Sequence, residues 1–127
     1  MASNLRILLA LPDHESRRVL ASLLPRCGIE PIFASTVSET RALLCREPIA
    51  LALCGTRLAD GSFRDVLREA RTARESVPVI VASPVHDAHL YLEAMNLGAF
   101  DFVAAPYRQH EVERIIRCAL RESLKVA

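Results

Sequence analysis

Ile49-Ala50-Leu51-Ala52-Leu53-Cys54 is apolar at every position, and Val77-Pro78-Val79-Ile80-Val81-Ala82-Ser83 is nearly so. A strand with one wet face alternates apolar and polar residues, whereas a strand covered by helices on both faces does not. These two runs therefore read as the central strands of a parallel sheet. Working outward, three further apolar runs lie at residues 5–11, 29–34 and 100–104, and amphipathic segments separate all five. That alternation predicts an α/β domain in three layers, with the sheet between two helix layers. Pro31 sits inside the second run and cannot donate to a ladder, so this strand is expected on a sheet edge.

The helices carry their own start and stop signals. Asp13 precedes a segment whose apolar face is Val19, Leu20, Leu23 and Leu24, with Pro25 expected to distort or end it and Gly28 as a stop. Thr36-Val37-Ser38-Glu39 reads as a capping box for a helix through Leu43 and Leu44, closed by Glu47-Pro48. Ser62-Phe63-Arg64-Asp65 opens a third helix with Phe63, Val66, Leu67 and Ala70 inward. Asp87 caps a fourth with Leu90, Ala94 and Leu97 inward, ended by Gly98. The fifth, over residues 109–124, buries Val112, Ile115, Ile116, Ala119 and Leu120. Residues 1–127 thus read as a single domain with short linkers.

Composition narrows the function classes. A net charge of +1 and a pI near 7.7 do not suggest a nucleic-acid or membrane surface. The basic residues are all arginine except Lys125, which is either compositional bias or a supply of interface ion pairs. No apolar run reaches the ~18 residues of a membrane span, and no signal-peptide layout opens the chain. Cys27, Cys45, Cys54 and Cys118 show no C-x-x-C and no metal spacing, so they read as reduced thiols of a cytoplasmic protein.

The segment after the third run, Leu58-Ala59-Asp60-Gly61, resembles the loop of response-regulator receiver domains, where the family reads Leu-Pro-Asp-Gly. Gly98-Ala99-Phe100-Asp101-Phe102-Val103-Ala104-Ala105-Pro106-Tyr107 resembles the family's Gly-Ala-aromatic-Asp-aromatic stretch and its later Lys-Pro-aromatic. Pro78–Ser83 is similar to its fourth strand, and Leu5–Pro12 to its first strand and the start of its acidic loop. The resemblance covers essentially the whole chain. It implies a flavodoxin-like sheet of five parallel strands ordered 2-1-3-4-5, with ligands at the strands' carboxyl ends.

A working receiver needs an acidic pair for Mg²⁺, a phosphate-accepting aspartate, a hydroxyl and a lysine. The resemblance places the acidic pair on Leu11 and Pro12, the aspartate on Gly55 and the lysine on Ala105, and keeps only the hydroxyl, Ser83. It puts the family's switch aromatic on Phe102, where nothing is left to bias a switch. It also implies a cis Ala105–Pro106 bond.

Several residues invite other chemistry. Asp13, one position past the missing pair, is a helix cap or a displaced acid; Asp60 is turn chemistry or a displaced phosphoacceptor. His14 and Glu15 beside Asp13, and His86-Asp87-x-His89, have ligand types but not the geometry or number of a metal site. Cys54 is a redox sensor only if something lowers its pKa, and no such group is evident. Arg64, Arg68 and Arg71, interleaved with Asp65 and Glu69, read as a solvated face.

The reading is a non-enzymatic, degenerate receiver domain of two-component signalling, with no metal or cofactor, acting by phosphorylation-independent protein–protein contact. The alternatives are phosphate acceptance on Asp13 or Asp60, or redox sensing at Cys54. The expected contact face is the fourth helix, fifth strand and fifth helix, carrying Tyr91, Met95, Asp101, Arg114, Arg117 and Arg121. A homodimer through that face is one option, with Glu93 or Asp101 of one copy meeting the arginines of the other. Neither nucleic acid nor membrane is expected as a direct partner.

Overall fold

The computed structural model describes residues 6–24, 29–73 and 76–125. In chain order the elements are β1 (Arg6–Ala10), α1 (His14–Ser22), β2 (Glu30–Ala34), α2 (Val37–Arg46), β3 (Ile49–Gly55) and a small hairpin, β4 (Arg57–Leu58) with β5 (Gly61–Ser62). They continue with α3 (Phe63–Thr72), β6 (Val79–Ser83), α4 (Ala88–Asn96), β7 (Asp101–Ala104) and α5 (Gln109–Lys125). The main sheet is parallel in the order β2-β1-β3-β6-β7, so the fourth and fifth apolar runs are β6 and β7. This is the expected flavodoxin-like topology, and Pro31 lies on the edge strand β2.

All seven residues of β3 and all five of β6 are buried, as central strands between two helix layers must be. Alternate residues of each strand feed opposite cores. Ile7, Leu9 and Leu11 join Leu51, Leu53 and Ile80 beneath α1 and α5. Leu8, Ala10, Ala52, Cys54, Val79 and Val81 face α2, α3 and α4. Burying one such Leu, Ile or Val side chain contributes about 1.5–3 kcal/mol. The expected inward faces of α3 and α5 are all buried. Along α4 only Ala94 is fully buried, with Leu90 and Leu97 packed against the core from its margin.

The caps form where the sequence put them, with one change of partner. Thr36 Oγ1 accepts from Glu39 N at 2.9 Å, but the Glu39 carboxylate turns to Ser35 N at 2.7 Å, so the box closes one residue early. Ser62 and Asp65 make the full reciprocal box. Asp87 Oδ1 accepts from His89 N and Leu90 N at 2.9 and 3.2 Å. Gly98 ends α4 at φ +102°, a conformation that L side chains rarely adopt. Pro25, Cys27 and Gly28 lie outside the described residues. No described helix is long and apolar enough to cross a membrane.

Candidate functional site at the carboxyl ends of the strands

In a parallel α/β sheet the loops after the strands form the ligand crevice. Here the pairing aligns Ala10 with Cys54, Gly55 with Ala82, and Ser83 with Ala104. Leu11, Gly55, Ser83 and Ala105 therefore meet at one end of the sheet.

Leu11 is 3 % exposed and belongs to the core beneath α1 and α5. A Cβ built on Gly55 would lie 3.4 Å from Leu11 Cδ2 and 3.8 Å from the Arg57 carbonyl oxygen, ordinary contact distances. Gly55 has no positive φ, so neither backbone nor packing demands glycine there. Gly61, a few residues on, is different. Its Cβ would sit 2.5 Å from Asp65 Oδ2 and 2.8 Å from Val37 Cγ2, so the close approach of hairpin, α2 and α3 requires the missing side chain.

The two candidate displaced acids are both helix caps. Asp13 Oδ2 accepts from Ser16 N at 2.8 Å and Ser16 Oγ at 2.7 Å. Those bonds, the hydroxyl's first, hold its carboxyl below the usual carboxylate range. Asp60 reaches across the hairpin to the start of α2, where Oδ1 accepts from Val37 N at 2.6 Å and Oδ2 from Ser38 N at 3.2 Å. The Val37 bond is the main cause lowering its pKa. The turn reading of Asp60-Gly61 holds, with a long-range cap added that local spacing does not reveal.

The remaining polar groups are bound within the chain as well. The buried Ser83 hydroxyl donates to the Val85 carbonyl at 2.6 Å and accepts from Val85 N at 3.2 Å. The Ser83 carbonyl accepts from Ala105 N at 2.9 Å and from Tyr107 Oη at 3.1 Å. Burial, and then the Asp13 charge, raise the Tyr107 pKa. The Ala105–Pro106 bond is cis. Arg17 was not singled out from sequence, yet its guanidinium donates to the Leu11 carbonyl and to Ser35 Oγ, and lies 5.5 Å from the Phe33 ring centroid. It thereby fixes the loop after β1.

Magnesium requires near-octahedral oxygen ligation anchored by carboxylates. The side chains at these strand ends are an aliphatic Leu11, a Pro12 and a side-chain-free Gly55, and both nearby carboxylates are engaged by helix N–H groups. This donor set does not fit the ion. Elsewhere, Glu15 pairs with Arg18 and Asp87 caps α4. No group of three or more His, Cys, Asp or Glu among the described residues is arranged to hold a metal. Cys54 is fully buried, and burial pushes its thiol up to about 12, opposite to what a thiolate sensor needs.

On the face made by α4, β7 and α5, a groove of about 390 Å³ is lined by His86, Asp87, Tyr91, Phe102, Ala104 and Glu111 among others. Tyr91, 43 % exposed, packs edge-on against Phe102 with centroids 5.8 Å apart. Leu92 and Val85, each 56 % exposed, extend the apolar surface and were not anticipated. Met95 is instead half-buried against the core. Arg114, Arg117 and Arg121 are exposed. The two acids offered for a symmetric partner are already occupied. Glu93 makes a two-bond pair with Arg64, whose Nη2 donates at 2.7 Å, and Asp101 Oδ1 accepts from Phe102 N at 2.7 Å. The arginines of α3 are exposed, as expected of a solvated face, and are bonded within the chain: Arg68 pairs with Asp65, and Arg71 donates to the Leu97 carbonyl.

No family model matches the chain. It is similar to the response regulator protein PilR of Pseudomonas aeruginosa, 29 % identical over 119 residues that cover 94 % of this chain and 27 % of that one. It is also similar to the transcriptional regulatory protein GltR of the same species, 29 % identical over 126 residues covering 97 % and 52 %. The chain thus spans about half the length, or less, of these curated relatives. Among solved structures, the receiver domain protein (CheY-like) of Methanospirillum hungatei JF-1 superposes with a TM-score of 0.84 at 24 % identity, covering 98 % of this chain and all of that one. With response regulators as relatives along nearly its whole length and a receiver topology in its sheet, the chain is well supported as a response-regulator receiver domain of two-component signalling.

Proposed function

We propose that this domain signals by protein–protein contact and accepts no phosphoryl group. The observation that carries the reading is the Leu11 side chain lying against Gly55, the position to which the family resemblance assigns the phosphate-accepting aspartate. A phosphoryl group brings close to two negative charges and demands cations or directed donors around it. The neighbourhood supplies an aliphatic side chain, Ala105 at the place of the family's lysine, and a Ser83 hydroxyl bonded to its own loop.

The alternatives lose support on the same grounds. Phosphorylating Asp13 or Asp60 would strip a cap from α1 or α2, and Cys54 lacks both access and acidity. The contact surface in this reading is the α4–β7–α5 face, around Tyr91, Asp101 and the α5 arginines, in a cytoplasmic signalling protein.

The test is incubation with acetyl phosphate and Mg²⁺ followed by intact mass measurement. No species about 80 Da heavier, the mass one phosphoryl adds, is expected. Such a species, abolished by Asp13→Ala or Asp60→Ala, would establish the displaced-acid alternative instead.

A further inference from the structure

The accounting of charge on α5 points to the chemistry of the partner. With 3.6 residues per turn, His110, Arg114, Arg117 and Arg121 fall within an arc of about 60°, opposite the buried Val112, Ile115, Ile116 and Ala119. The three arginines are exposed and have no ion-pair partner among the described residues. Elsewhere Arg6, Arg18, Arg41, Arg64 and Arg68 face carboxylates of their own chain, and the exposed Arg46, Arg57 and Arg108, which have none among the described residues, form no such row.

A second copy is a poor source of the missing acids. Asp13, Asp60 and Asp87 hold helix N-termini, and Glu15, Glu47, Glu69 and Glu93 face arginines. Of the described acids only Glu30 and Glu111 have no partner among the described residues; Glu30 stands on the far edge strand, β2, and Glu111, beside the row on α5, gives a second copy one acid for three arginines. A polyphosphate is a poor match as well. Glu111 and Glu113 flank the stripe on its two sides, leaving a single cationic row in a chain of net charge +1.

We infer that the α5 row of Arg114, Arg117 and Arg121 docks an acidic helical segment of a different protein. Its carboxylates would repeat at the three- and four-residue spacing of the arginines, whose rises along the axis are about 4.5 and 6 Å. Arg suits this use because its planar fork binds a carboxylate through two parallel bonds. The inference rests on the contact-based reading above and names the partner's chemistry.

The experiment titrates the full chain into a fluorescein-labelled, alanine-based helical peptide with Glu at i, i+4 and i+7, following anisotropy. The Gln-for-Glu peptide is the control. The expected result is binding at least ~10-fold tighter for the Glu peptide, weakening steeply between 50 and 300 mM salt as surface charges are screened. Arg117→Gln is expected to weaken it roughly 5–10-fold, as befits a central charge pair, while Arg117→Lys retains most of it. Arg46→Gln and Arg57→Gln, exposed arginines elsewhere, should leave it unchanged.

The proposal is overturned by equal affinity for the two peptides, by no measurable binding, or by equal losses at Arg46 and Arg57. It is also overturned if a single-stranded oligonucleotide binds the same arginines as tightly, or if light scattering shows a dimer that Arg117→Gln dissociates. A phosphoryl adduct in the mass experiment would sink the contact-only reading and leave this row untouched. Failure of the peptide to discriminate would do the reverse.

Discussion

The carboxyl ends of the strands and the outer face of α5 treat polar groups in opposite ways. At the strand ends every polar side chain named above is bonded within the chain: Asp13 and Asp60 to helix N–H groups, Ser83 to Val85, Arg17 to Leu11 and Ser35. The apolar Leu11 is buried against Gly55. On α5 three arginines stand exposed with no partner among the described residues. A ligand needs donors and acceptors that the protein has not already satisfied, because replacing an internal bond yields little net free energy. On that criterion the proposed recognition surface is the helix face, and the crevice that topology would nominate offers a ligand fewer unsatisfied groups.

The largest effect that could break this contrast is at Leu11. Leu11→Asp places an unpaired carboxylate where an aliphatic side chain is 3 % exposed, and should cost about 4 kcal/mol or more in urea unfolding. A cost under about 1 kcal/mol would mean the crevice is already hydrated and able to accept charge. Next comes Gly61→Ala, whose Cβ would collide with Asp65 and Val37, with an expected loss of about 1–3 kcal/mol.

The third prediction concerns acid. The folded pKa of Asp60 is lowered, so its contribution is present above the unfolded value of about 3.9 and is lost as pH falls through the lower folded value. Asp60→Asn should therefore flatten the stability–pH curve below about pH 4 while lowering the thermal midpoint at neutral pH. A curve identical to the parent's would show that the carboxylate is not holding α2. The smallest effect is Gly55→Ala. Ordinary contact and an unstrained φ predict a change within about 0.5 kcal/mol, or a slight gain from the stiffer unfolded chain. A large loss would show that the glycine is demanded by packing.

Most of the fold was legible because its signals are local. The unbroken apolar runs of β3 and β6, the proline in β2, and the caps at Asp13, Ser62 and Asp87 each act within a few residues of themselves. What escaped was long-range partnership. Asp60 caps a helix 23 residues away, and Glu93 belongs to Arg64 at a separation of 29, so neither role is written in neighbouring residues. Met95, expected on the contact face, is half-buried against the core, and how far it turns inward is decided by packing that the sequence does not display. Arg17 carried no signal, since its partners are a loop carbonyl and a serine 18 residues on. At the candidate site, resemblance named the positions, while only the folded chain shows Leu11 against Gly55 and the nearby acids engaged.

Thermal unfolding of the full chain with and without Mg²⁺ plus beryllofluoride, a phosphoryl mimic, tests the central claim most directly. A receiver crevice that binds these ligands at a hundred times their dissociation constant gains about 2.7 kcal/mol, a shift of several degrees for a domain of this size. The account predicts no shift of the midpoint by either addition. A rise that needs both Mg²⁺ and beryllofluoride, and that Leu11→Ala alters, would contradict it.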